Sequence, residues 1–219
     1  MPLKIFIGNN PLFLCKFGFV LPSEEALELS SKKLLQENYS ESNQMIQIIE
    51  KLENKKQETA FMLFHTNEAE LIQEFKTNFK RIDAAGGLVE NSEGDILMIY
   101  RKGKWDLPKG KVETNEKKID AGEREVEEET GLRNIKVESA IQFYSWKQPY
   151  TTHTYWENQK RIIKNTYWFN MKSTGSPVFT PQKEEGITDV QWVNKYKVNE
   201  LLKNSYASVH DVIRYGKAQ

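Results

Sequence analysis

Leu107-Pro108-Lys109-Gly110, followed thirteen residues past its glycine by Glu123-Arg124-Glu125-Val126-Glu127-Glu128-Glu129-Thr130-Gly131-Leu132, decides the reading of this chain. From Gly110 the spacing is five residues, Glu116, seven residues, Arg124-Glu125-Val126, one residue, Glu128-Glu129, one residue, Gly131-Leu132. The stretch from 115 to 130 holds no proline and many glutamates and lysines, and Gly131 stands where a left-handed residue ends a helix. A helix is therefore expected there. On it Glu125, Glu128 and Glu129 lie at i, i+3 and i+4, so their side chains share one surface.

Like charges at that spacing cost only about 0.2–0.5 kcal/mol per exposed pair, so energy alone does not exclude a solvated acidic face. Converging carboxylates are also the oxygen-rich set that suits magnesium or manganese, which favour carboxylates, water and phosphates over sulfur or imidazole. Arg124 precedes Glu128 by one helical turn and can pair with it or reach back to the loop. Ile119, Gly122 and Val126 form an apolar stripe on the other side, to be buried against a sheet. Gly122 costs about 1 kcal/mol relative to alanine inside a helix, which suggests close backbone packing.

Working outward, 219 residues suffice for one large domain or two small ones. With 31 basic and 31 acidic residues, no global field favours nucleic acid or membrane. Cys15 is the single cysteine, which excludes an intrachain disulfide and a cysteine-rich zinc site. The apolar stretch from Pro11 to Pro22 is interrupted by Lys16 and Gly18 and is too short to span a bilayer. No basic leader with a small-residue cleavage site is present, and a cytoplasmic protein is expected.

The first eighty residues read as β-β-α-α-β-α. Two short apolar runs, 3–7 and 12–15, flank a turn at Gly8-Asn9-Asn10-Pro11. A helix is expected over 24–38, capped by Ser23, with leucines at 27, 34 and 35; a second follows over 43–54. A strand over 60–64 and an amphipathic helix over 68–78 complete the segment. It contains no catalytic constellation, and its pattern is not that of a helix-turn-helix. Dimerisation (a homodimer) or regulation is the role expected of it.

From Phe79 the texture changes to strands, at 82–89, 96–100, 105–108, 135–144, 162–171 and 190–193. Two closing helices follow, near 198–203 and 205–215. The turn between the first two strands is Asn91-Ser92-Glu93-Gly94. Upstream of the acidic helix, Arg101, Lys102, Lys104, Lys109 and Lys111 place five bases in eleven residues. Such a rim facing a cation-bound carboxylate cluster is what a polyphosphate needs, and Arg101 and Lys109 are the candidate phosphate contacts.

The spacing from Gly110 to Leu132 resembles the complete signature of the Nudix hydrolase family. The resemblance covers about 79–215 and implies an α/β/α sandwich, preceded here by a separate small α/β domain. The boundary is expected at 78/79, giving domains 1–78 and 79–219. It implies hydrolysis of a diphosphate bond in a nucleoside diphosphate derivative, with Mg2+ or Mn2+ as cofactor. Carried over position by position, Glu125, Glu128 and Glu129 resemble metal ligands, with the Gly110 carbonyl as a further one. Arg124 and Glu116 resemble the residues that fix the loop leading into the helix. The family's general base comes from the helix or from a later loop, where Glu184 and Glu185 are the candidates.

Trp105-Asp106-Leu107-Pro108-Lys109-Gly110 resembles the version found in diadenosine-polyphosphate and diphosphoinositol-type members. A tyrosine beyond the signature accompanies dinucleoside polyphosphate cleavage and a proline ADP-ribose cleavage; here Pro149 and Tyr150 are adjacent, so the marker is split. Aromatics at 143, 144, 146, 150, 155 and 156 offer faces for a nucleobase, or else belong to a strand-pair core plus an exposed hairpin. Tyr150 is the substrate-contact candidate among them, and His153 a weaker phosphate donor. Three functions are weighed: a pyrophosphohydrolase on a nucleotide-type small molecule such as a dinucleoside polyphosphate, an RNA 5′-pyrophosphohydrolase, and a nucleotide-sensing module without turnover. No DNA or membrane partner is expected.

Overall fold

The computed structural model describes residues 2–54, 59–143, 145–146, 148–174 and 178–217. Tyr144 and Lys147, named above with the aromatic segment, lie outside the described residues. In chain order the elements are β1 (Leu3–Ile7), β2 (Asn10–Lys16), α1 (Ser23–Glu28), β3 (Lys33–Asn38), α2 (Ser42–Glu53), β4 (Thr59–His65), α3 (Glu68–Thr77), β5 (Lys80–Glu90) and β6 (Ile96–Arg101). These are followed by β7 (Lys104–Asp106), β8 (Lys109–Lys111), α4 (Lys118–Thr130), β9 (Ile135–Ala140), β10 (Thr151–Glu157), β11 (Lys160–Ser173), β12 (Ile187–Val193), α5 (Val198–Leu202) and α6 (Ala207–Lys217).

The chain divides into two compact units. The first is Met1–Ile82 with Phe143–Gln148 and Thr152–Lys164; the second is Asp83–Gln142, Pro149–Thr151 and Asn165–Gln219. Where the sequence suggested one cut at 78/79, the first unit thus recruits a segment from the middle of the second half. The recruitment has a physical cause: β1 finds a parallel partner in β10, with Phe6 opposite His153.

In the first unit β1 and β2 form an antiparallel hairpin, and β4 runs parallel to both β2 and β3. Ile5, Ile7, Leu12, Leu14, Phe61 and Leu63 alternate onto one face of this sheet. There they pack against Met45, Ile48, Ile49 and Leu52 of α2 and Leu71 and Phe75 of α3. On the opposite face Phe13 stacks on Trp146, and Lys4 pairs with the buried Glu25 of α1. The expected helix over 24–38 is corrected here. It stops at Glu28, passes through a short 3-10 turn at Leu29–Ser31, and becomes β3. Leu27 is 76% exposed, so a longer helix would have had no apolar face to bury, whereas Leu34 and Leu35 gain a full parallel ladder on β4. Pro22, not Ser23, takes the capping position.

In the second unit β6 is flanked by β12 and β5, with β7 pairing β6 and β8 pairing β5; β9 pairs β11. Ile96, Leu97, Met98 and Ile99 are all buried, the mark of a strand covered on both faces. One covering layer is α4: a side chain at Gly87 would strike Val126 and Met171. The next residue on β5, Leu88, points the other way and meets Gly216 of α6. This is the α/β/α arrangement, with α4 and α6 on opposite faces.

Candidate active site

Helix α4 begins at Lys118, three residues later than the sequence suggested, and ends on Gly131 in the left-handed conformation (φ 75°). Ala121, Gly122 and Val126 are buried, but Ile119 is 42% exposed and does not join the stripe. Gly122 is small because the Phe169 ring stands 3.0 Å from where a Cβ would lie. The buried side of the helix faces the sheet, which leaves the acidic side facing β8 and the loop after it.

Gly110, on β8, is the tightest point. A Cβ added there would lie 1.8 Å from Oε2 of Glu125 and 2.1 Å from its Cδ. Only a residue without a side chain lets that carboxylate reach the backbone. Arg124 organises this half of the site. Its guanidinium donates to Glu116 Oε1 (2.8 Å) and Oε2 (2.9 Å), to Glu125 Oε1 (2.8 Å), to Glu128 Oε2 (2.9 Å) and to the Lys111 carbonyl (3.0 Å). Glu125 and Glu128 are thus drawn to one nitrogen. The Glu116 carboxyl is held below its ordinary range, chiefly by its bond to Arg124, and Arg124 is shifted up by the same partners. Glu116 also accepts from the Glu113 N–H (2.8 Å), closing the loop before α4.

Glu129 belongs to a second network. It is 1% exposed; its Oε2 accepts from the Lys109 N–H (2.8 Å) and its Oε1 from Arg101 Nη1 (3.2 Å). Burial pushes its carboxyl up to about 7, against the opposing pull of Lys109 and Arg101. Arg101, at the end of β6, also donates to the Glu185 carbonyl (3.0 Å) and carboxylate (2.6 Å). The segment carrying Glu185 is fastened to the end of α4 by Thr180 N–H to Thr130 O (2.8 Å) and Gln182 N–H to Glu129 O (3.2 Å). An open cleft of about 670 Å3 brings Glu125, Glu128, Arg124 and Glu185 together with Lys111 and Gln182.

Two of the remaining expected contacts sit elsewhere. Lys109 is 9% exposed, and its ammonium is turned onto Asp106 rather than into the cleft. Tyr150 packs edge-on against Tyr167, whose ring also carries the Lys118 ammonium at 4.2 Å. Trp146 and Phe143 are buried in the first unit and offer no stacking face, while Trp156 lies beneath the Arg161 guanidinium. Lys111, one of the five upstream bases but not one of the two candidate phosphate contacts, lines the cleft together with Gln182. Gln182 carries no spacing signal in the sequence.

The carboxylates fit a divalent cation on the observations above. Gly110 is bare where Glu125 must approach the backbone, and a carboxylate as deeply buried as Glu129 is costly unless a cation or donors compensate it. The NUDIX domain model matches residues 80–213, well over half the chain, and the chain belongs to the Nudix family. It is 34% identical over 104 residues to the RNA pyrophosphohydrolase of Bartonella tribocorum (strain CIP 105476 / IBS 506), covering 41% of this chain and 59% of that one. To the RNA pyrophosphohydrolase of Bartonella clarridgeiae it is 33% identical over 72 residues, covering 32% of this chain and 42% of that one. The chain thus spans about half the length of these curated relatives. A C. elegans Ap4A hydrolase binary complex is similar at a TM-score of 0.47 and 18% identity, covering 64% of this chain and 96% of that one. The MutT protein from Methanosarcina mazei Go1 is similar at 0.46 and 20%, covering 64% and 96%. No described helix is long and apolar enough to cross a membrane.

Proposed function

We propose that the chain is a cation-dependent pyrophosphohydrolase that cleaves a diphosphate bond in a nucleoside diphosphate derivative. The observation that carries the reading is the bare Gly110 pressed against the Glu125 carboxylate, beside Glu128 and the buried Glu129. Glu125, Glu128, Glu129 and the Gly110 carbonyl would hold Mg2+ or Mn2+. When bound, such a cation supplies charge neutralisation on the phosphate oxygens and lowers the pKa of its water.

The residues themselves do the rest. Arg124 orients Glu125 and Glu128, so little reorganisation is needed when substrate arrives. Lys111, on the cleft wall, would supply positive charge to a polyphosphate. The Glu185 carboxylate, half exposed at the cleft and held by Arg101, would accept the proton of the attacking water in this reading.

A second reading, RNA 5′-pyrophosphohydrolase, is favoured by the activity for which both Bartonella relatives are named. The balanced charge of the chain argues for a short footprint on RNA rather than a long one. Incubating the protein and Mg2+ with diadenosine tetraphosphate, ADP-ribose and 5′-triphosphorylated RNA, then resolving products by chromatography, separates the readings. Turnover of one class that disappears in Glu128→Gln, with the melting curve nearly unchanged, is the result expected. Turnover unaffected by that substitution would remove Glu128 from the ligand set.

A further inference from the structure

Buried ion pairs between residues three apart are an expensive way to hold a turn, because apolar side chains of similar volume avoid the desolvation. Asp106 and Lys109 nevertheless form one, at 3% and 9% exposure. Among the described residues, the bonds of this pair close within four residues. Oδ2 of Asp106 takes the Lys109 ammonium, Oδ1 accepts the Leu107 N–H (2.8 Å), and the ammonium also reaches the Leu107 carbonyl (3.4 Å). Pro108, with its fixed φ, sits in the middle, and its carbonyl accepts the Gly87 N–H of β5 (3.1 Å). What this clamped turn presents to its surroundings is the Lys109 N–H, 2.8 Å from Oε2 of Glu129.

We infer that Asp106 and Lys109 are positioning residues, which lock the 106–109 turn so that its backbone N–H fixes the carboxylate plane of Glu129. The inference rests on the reading of Glu129 as a cation ligand. Glu129 is held from two sides, by Arg101 on Oε1 and by the turn on Oε2. Loss of the turn's grip frees the carboxylate to rotate about a single remaining donor. It also removes the partner of the Lys109 ammonium, leaving Glu129 as an alternative anion for it. Supporting groups of this kind alter metal affinity or activity by about 10–100-fold when removed.

The test uses the full chain and Mn2+ alone as probe, with free Mn2+ followed by electron paramagnetic resonance, alongside steady-state hydrolysis in Mg2+. Asp106→Asn and the double variant Asp106→Leu/Lys109→Met are compared with wild type and with Glu128→Gln. The double variant removes the pair without stranding either charge, so it remains informative where the single variant folds poorly. Positioning predicts that the folded variants bind Mn2+ about 10–100-fold more weakly than wild type, with kcat reduced and KM within about twofold. A folded double variant with wild-type Mn2+ affinity overturns the inference, since a purely structural pair would be replaceable. Failure of both variants to fold overturns it too, by making the pair a determinant of the fold. Wild-type protein whose Mn2+ binding is absent or indifferent to Glu128→Gln would bring down the proposed function itself, a pattern distinct from either.

Discussion

Replacing Glu129 by glutamine should flatten part of the pH dependence of stability in the cation-free protein. Glutamine is the neutral isostere of the protonated acid and can still accept one of the two bonds from Arg101 and the Lys109 N–H. The carboxyl titrates near 7 in the folded chain against 4.5 as its ordinary value, so the unfolded state loses its proton first. The stability held by the protonated form is therefore complete below about pH 4.5 and is lost as pH rises through 7. Between pH 5 and pH 8 the linkage amounts to about 2–3 kcal/mol. For a chain of this size that is roughly 5–10 °C in melting temperature. Scanning fluorimetry in EDTA, on both proteins from pH 5 to pH 8, isolates the effect, because other titrating groups cancel in the difference. Wild type should fall relative to Glu129→Gln by that amount over the interval. Saturating Mg2+ should restore wild type chiefly at pH 8 and shift the variant less. A melting difference independent of pH would refute the claim that burial pushes the Glu129 carboxyl up.

Gly110→Ala should lower hydrolysis by about a hundredfold or more, since the new methyl group occupies the space of the Glu125 carboxylate; a kinetic assay showing less than a threefold loss would contradict the close approach. Arg124→Lys should cost activity through both KM and kcat, because an ammonium cannot hold Glu116, Glu125 and Glu128 together; parallel titration with Mg2+ checks this. Burial pushes the Cys15 thiol up to about 12, so its contribution to stability is kept below about pH 9 and lost as pH rises toward 12. Native protein at pH 8 should accordingly alkylate roughly a thousandfold more slowly than denatured protein, measured by mass spectrometry.

How far the fold could be read in advance varies with the range of the forces involved. Helix α4 was legible because its cap, its glutamates and its buried small residues are all local signals, and Gly131 does end it. The strand β3 was not, because Leu34 and Leu35 have helix-compatible spacing and only a distant partner, β4, decides for a ladder. The same holds for β10, whose aromatics resemble an exposed hairpin until β1 is seen to pair with it. Within the site, Arg124 with Glu128 followed from helical spacing, and Gly110 from its place in the signature. Lys109 was expected at a phosphate because it is a basic residue beside a signature glycine, whereas in the structure its ammonium is paired within the turn. Its direction is set by Asp106, a pairing visible only once the turn is folded. Arg101 and Glu185 lie 84 residues apart, and nothing in sequence announces that they meet.

Anomalous diffraction from a crystal soaked in Mn2+ addresses the arrangement of carboxylates most directly. A peak bounded by Glu125, Glu128, Glu129 and the Gly110 carbonyl is expected. Those side chains still turned to Arg124 and Arg101, with no peak among them in a fully exchanged crystal, would contradict it.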